Sequence, residues 1–181
     1  HSRIQRGRAC AATAGESVEI VEHCPEGIEQ TLQATRAALH DAGVAEATLE
    51  RGLPAARLVG AITEDAALAS GALAYESLSG DELAAAANAR ALGPEASKVA
   101  AELVRLGEFG RGTAWSPQGR LLEPQAETLR KMLLAVVGDP RLVVARIAIQ
   151  LARLRTAREA PQARREALAA ETRAVFAPLA N

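Results

Sequence analysis

From Arg141 the chain reads RLVVARIAIQLARLRTA, a stretch whose apolar residues nearly encircle a helix. A helix with so narrow a polar side has to sit at the centre of its fold, with other helices around it. The residues in front fit that reading: Asp139 suits an N-cap and Pro140 the first helical position. Gly138 suits a left-handed C-cap for the preceding helical run, AETLRKMLLAVV. Arg146, Gln150 and Arg153 share the polar side of the central helix. No segment shows the strict alternation of a strand. The fold class expected is all-α, with about seven to nine helices joined by short links.

Elsewhere the helical signals are weaker. After Pro25, Ile28, Leu32 and Leu39 recur at helical spacing up to Gly43. A second helix is expected from about Pro54 through Asp65, with proline in its first turn. ALASGALAYESLSG reads as one or two glycine-punctuated helices. Asp81 is the expected N-cap of ELAAAANARAL, which Gly93-Pro94 closes. The next helix carries Val99, Leu103 and Leu106 on one face. Residues 107–124 then read as a long loop, in which Trp115 is expected to plug the loop onto the body. A last helix is expected over about 161–176, with Leu168, Val175 and Phe176 inside. Residues 1–27 have no clear period and are expected to be loosely structured.

Composition narrows the function. Hydrophobic residues make up 49% of the chain but aromatics only 2%, so alanine and leucine fill the core and helices pack closely. A net charge of −1 argues against direct nucleic-acid binding. No apolar run approaches a membrane span of roughly 20 residues, and the basic, polar start HSRIQRGRAC has no apolar signal-peptide region. Cys10 and Cys24 read as free thiols of a cytoplasmic protein. Met132 is the only methionine, so the chain is expected to be cut from a longer parent.

GAITED, residues 60–65, sets an acidic pair, Glu64 and Asp65, at the end of an apolar helical run. Such a pair can serve a metal or acid/base site. Taken as ordinary exposed acids, the two form a solvated last helical turn.

The C-terminal third carries a resemblance. LRKMLLAVVGDPRLVVARIAIQLARLRTAREAP, followed by ETRAVFAPLAN, resembles the RelA/SpoT family, the enzymes that make and degrade (p)ppGpp. There the pattern is RKML-x-A-x-x-x-D-x-R, a K-L-A-D-R-L-H-N-M-R-T helix, and Y-A-P-L-A. The likeness covers about residues 126–181 well. It extends loosely upstream through LGPEASKVAAELVRLGEF, and through AARLVGAITEDA against L-H-D-V-V-E-D-T. It implies the family's N-terminal hydrolase-type domain, an all-helical HD domain, over residues 28–181. A synthetase domain is expected beyond residue 181.

In active members of that family a His, a His-Asp pair and a later Asp hold one Mn²⁺, whose bound water attacks the 3′-pyrophosphate. In this chain Gly60 and Ala61 fall on the His-Asp pair, Ile149 on the later Asp, and Thr31 or Thr35 on the early His. Glycine, alanine and isoleucine side chains donate no lone pair, so no metal or other cofactor is expected. Glu64 and Asp65 match the acidic pair that polarises the water. Arg153 falls on a nucleotide-facing Asn, and Thr156 matches a nucleotide contact. The resemblance therefore implies a pseudo-hydrolase domain of a GTP pyrophosphokinase of the stringent response. Its expected partner is the adjacent synthetase domain, met through the last helix around Arg164 and Arg165, with self-association as a further possibility.

His40-Asp41 is itself an HD dipeptide, with Glu46 downstream. Gly43 breaks the helix directly after it, so the pair reads as a helix C-terminal turn. The rival reading, a working phosphohydrolase, needs an unorthodox ligand set from His23, His40, Asp41, Glu64 and Asp65.

Overall fold

In the computed structural model, residues 23–112 and 139–177 are described, and among them the chain is helical with no strand. The expectations for residues 1–22, for Trp115, for AETLRKMLLAVV and for Gly138 lie outside the described residues.

Helix α1 spans Glu26–Asp41, with Glu26 and Glu29 in its first turn, where the helix dipole favours acids. It ends as its glycine suggests. Gly43 has φ 101°, its N–H bonds to His40 O at 2.9 Å, and Val44 N–H bonds to Leu39 O at 3.0 Å. Helix α2 spans Glu46–Thr63, so it starts eight residues before Pro54, which lies inside it. Pro54 and Glu50, whose carbonyl loses its donor, are both exposed, so the missing hydrogen bond falls on the wet side of the helix.

Helix α3, Ala66–Ser77, is a single helix and the most enclosed one. It lies between α2 and α5 (Ala86–Gly112) and also touches α1 and α6 (Arg141–Thr156). Leu68 and Ala72 belong to one core cluster, while Ala69, Leu73 and Ala74 belong to the other, so α3, like α2 and α5, contributes to both clusters. Small residues make this possible. A Cβ on Gly71 would meet the Val99 side chain and lie 3.1 Å from Ala96 O of α5.

Helix α4 is short, Gly80–Ala84, and its cap is Ser79 rather than Asp81. Ser79 Oγ accepts Glu82 N–H at 3.3 Å, and Glu82 Oε2 accepts Ser79 N–H at 2.7 Å. Asp81 lies in the first turn, because the chain turns helical two residues earlier than expected. Helix α5 runs Ala86–Gly112 with a break at Gly93 (φ 74°, ψ 170°) ahead of Pro94. It therefore carries straight through residues 107–112, which the sequence suggested as loop. Their glycines are tolerated in a helix that Leu103 and Leu106 anchor to the core.

Helix α6 is Arg141–Thr156. Pro140 already has helical angles, and Asp139 Oδ1 accepts Arg141 N–H at 2.9 Å, as an N-cap does. A 3₁₀ turn, Ala157–Glu159, leads past Pro161 into α7, Gln162–Glu171, which continues as a π-helical turn over Thr172–Phe176. Of that last segment Phe176 is buried and Leu168 half-buried. No helix among the described residues is long and apolar enough to cross a membrane.

Candidate functional site

The end of α2 is built around Gly60. A Cβ on Gly60 would lie 2.8 Å from Ile28 Cγ2, 3.2 Å from Cys24 Sγ and 3.3 Å from Ala69 Cβ. The start of α1 and the first turns of α3 thus occupy the space a side chain would need. Ala61 is half-buried and has nothing to donate. Burial raises the pKa of Cys24, with Glu29 acting in the same direction, so the thiol beside Gly60 is held protonated.

The acidic pair serves the chain itself. Glu64 is the C-cap of α2 in the left-handed conformation (φ 52°), with its N–H on Gly60 O at 2.9 Å and its side chain exposed. Asp65 is the N-cap of α3: Oδ1 accepts Ala67 N–H at 2.9 Å and Leu68 N–H at 3.0 Å. Its other oxygen takes Arg141 Nη1 at 2.8 Å, and Arg141 also forks onto Asp139. The Glu64 side chain is thus exposed at the end of α2, whereas the Asp65 carboxylate is taken up by its cap and by Arg141. The cap partners are local, but Arg141 lies 76 residues away and could not be read from sequence.

Ile149 has no exposed surface and belongs to the core cluster with Val59, Leu68 and Leu103. Thr35 is buried; its Oγ1 bonds to Thr31 O at 2.9 Å and lies 3.1 Å from Ser70 Oγ. Thr31 is exposed and bonds Gly27 O. These residues do not fit the Mn²⁺ that the resemblance implies for active relatives. Positions 60, 61 and 149 offer no donor atom, and the threonine hydroxyls are already engaged. Nor is the rival ligand set brought together. His40 and Asp41 stand at the far end of α1, about 18 Å of helix from Ile28, which packs on Gly60. His23 is exposed ahead of α1, and Asp65 is committed to its cap. Among the described residues no three His, Cys, Asp or Glu side chains are grouped to hold a metal ion.

The polar side of α6 meets α3 and the π-helical turn. Arg153 forks onto Glu76, with Nη2 to Oε1 at 2.6 Å and Nε at 3.2 Å from each carboxylate oxygen. Burial opposes its charge, but Glu76 and Tyr75 more than offset that and hold the guanidinium above its ordinary pKa. Arg146 is 9% exposed and donates to Tyr75 Oη at 2.5 Å. Its guanidinium lies 5.1 Å from the Tyr75 ring centre and 5.5 Å from that of Phe176. Burial lowers the Arg146 pKa, and Tyr75 opposes the shift. Gln150 donates to Thr172 Oγ1 at 3.0 Å, and its buried Oε1 has no partner among the described residues. Thr156 turns its hydroxyl back onto Ala152 O and Arg153 O of its own helix.

The sequence had placed Arg146, Gln150 and Arg153 together. It missed Tyr75, Glu76 and Thr172. The adjacent aromatic and acid at the end of an otherwise apolar helix were the one signal available for the first two. Where the resemblance puts a nucleotide-facing Asn, this chain has a guanidinium tied to Glu76.

Comparison with known proteins gives the HD domain family, matched over residues 29–181. A GTP pyrophosphokinase of Streptomyces coelicolor is 44% identical over 57 residues, which is 32% of this chain and 7% of that protein. A GTP pyrophosphokinase of Escherichia coli K12 is 44% identical over 57 residues, 32% of this chain and 8% of that one. A bifunctional (p)ppGpp synthase/hydrolase RelA of Mycobacterium tuberculosis is 42% identical over 57 residues, again 32% and 8%. The match therefore spans less than a tenth of each of these relatives.

Proposed function

The chain belongs to the HD domain family, on its RelA/SpoT branch, and from that premise we propose that it is a hydrolase-like domain without hydrolase activity, which regulates a (p)ppGpp synthetase. One observation carries the reading: the space a ligand side chain at position 60 would need is filled by Ile28 and Cys24. The parent is then a cytoplasmic GTP pyrophosphokinase, transferring pyrophosphate from ATP to GTP or GDP, and this domain precedes the catalytic one. The relatives' printed names support that activity for the parent.

With no chemistry of its own, the domain acts by contact. Its contact with the synthetase has to differ in free energy between the active and resting states. A coupling of about 1–3 kcal/mol changes activity roughly 5- to 150-fold.

Two measurements test the proposal. Elemental analysis of the purified chain gives no stoichiometric manganese, and ppGpp incubated with it and Mn²⁺ releases no pyrophosphate above blank. One tightly held metal per chain, or steady release, refutes the inactive site. Deleting residues 1–160 from the parent changes basal or activated ppGpp synthesis; if both rates stay the same, the domain is a tether and not a regulator.

A further inference from the structure

Residues 160–176 are attached to the bundle along one edge. Helix α7 has no buried residue, and its contacts run chiefly to α6 and to the turns on either side of it. Residues 161–167 are exposed and 168–172 half-buried, and Phe176 is the buried anchor of the segment. Ala160 and Pro161 are both extended, with ψ 154° and 147°, so the helical ladder is interrupted ahead of α7. At the other end the turn Thr172–Phe176 is π-helical, closed by Ala177 N–H on Thr172 O. Turns of this kind are rare.

What lies beneath the segment is poorly matched to burial. Arg146 is almost fully buried, and no carboxylate pairs with it among the described residues. A guanidinium has five N–H donors, and the hydrogen bond made here goes to Tyr75. Tyr75 belongs to α3, so that bond is kept whether or not the segment is in place. From the segment itself Arg146 receives the Phe176 ring, 5.5 Å away, and the more distant charge of Glu171, and burial outweighs that charge. Gln150 repeats the pattern. Its Nε2 donates to Thr172 of the segment, while its Oε1 is buried with no partner among the described residues. Covering these two side chains takes water from more polar atoms than the segment pairs in return.

We propose that residues 160–176 form a strap that leaves α6 as one unit, turning about Ala160-Pro161, because its release rehydrates Arg146 and Gln150. Burial of Phe176 and partial burial of Leu168 hold the strap down, and the two polar side chains beneath it favour release. The closed and open forms make a two-state element within this chain. It stands whether or not the domain regulates a synthetase.

Native-state amide exchange of the whole chain tests this. Amides of residues 165–176 exchange at least about 100-fold faster than those of residues 145–152 of α6, and share one denaturant dependence, shallower than that of α6. Protection that declines residue by residue towards 176 is end fraying and overturns the proposal, as does exchange at the α6 rate. Arg146→Met removes the charge, places a thioether between the two rings, and slows exchange of residues 165–176 roughly tenfold. Exchange there that is unchanged or faster makes Arg146 a clamp and overturns the proposal. Phe176→Ala, made on the strap itself, keeps the proposal refutable if Arg146→Met does not fold. It speeds exchange of residues 165–176 at least about tenfold and leaves residues 145–152 as they were. Acceleration shared equally by α6 means that the segment opens only with the core, and overturns the proposal.

Discussion

Ile149 stands where the resemblance puts a metal-binding aspartate, and it has no exposed surface. Ile149→Asp loses apolar burial of about 1.5–3 kcal/mol and strands a carboxylate among leucines and alanines. A total cost on the order of 4 kcal/mol or more follows, a fall in melting temperature of roughly 10 °C. Thermal unfolding with and without Mn²⁺ checks this, and no metal-dependent recovery is expected. A substitution that melts within a degree of the parent chain would mean that Ile149 does not face the core. Glu29 gives a pH-dependent counterpart. The hydrogen bonds from Arg57 outweigh burial and bring its pKa down from 4.5 to about 2. A depressed carboxylate contributes stability that is full above pH 4.5 and is lost as the pH falls towards about 2. Arg57→Ala should therefore flatten the acid side of the stability profile in that window and leave stability above pH 5 lower by at most about 1 kcal/mol, since the pair is partly exposed. An unchanged acid limb in denaturant titrations would count against the pairing.

At the scale of the elements, Asp65 joins three helices: it follows α2, caps α3 and holds Arg141 at the start of α6. Asp65→Ala should cost about 1–2 kcal/mol, most of it from the lost cap. Arg141→Ala should cost about 0.5 kcal/mol or less, because Arg141 is well exposed. Chemical denaturation of both, with the double substitution, separates cap from ion pair; equal losses for the two singles would contradict the assignment. What was legible in the sequence followed from backbone chemistry within a few residues. Gly43, Gly93 and Asp139-Pro140 each fix their own turn or cap, and all three sit where their local rules put them. Pro54 misled because a proline tolerated on an exposed helical face looks the same as one at a helix start. Asp81 misled because Ser79, with Glu82 three residues on, offered the better capping box. The filling of the Gly60 space was not legible either. Its contacts come from Cys24, Ile28 and Ala69, and nothing in the spacing of those residues brings them to one point.

Across the whole molecule, the layer formed by Tyr75, Glu76, Arg146, Gln150, Arg153 and Thr172 ties the last helical segment to the middle of the bundle. Tyr75→Phe keeps the ring against both guanidiniums but removes the oxygen that accepts from buried Arg146. It should cost about 1.5–3 kcal/mol and speed amide exchange at Thr172–Phe176. Exchange that rises everywhere except in that turn would show that the layer does not hold the segment.

The packing behind Gly60 also bears on the routes by which such a sequence can change. Placing histidine there first requires Ile28 and Cys24 to give way, and making room first leaves a hole in the core. Ile149→Asp, taken alone, buries an unpaired charge. Each of these two steps, taken singly, is a loss to the fold. Exposed positions such as Glu64 can thus change at little cost to the fold, while position 60 is held at glycine by what is packed against it.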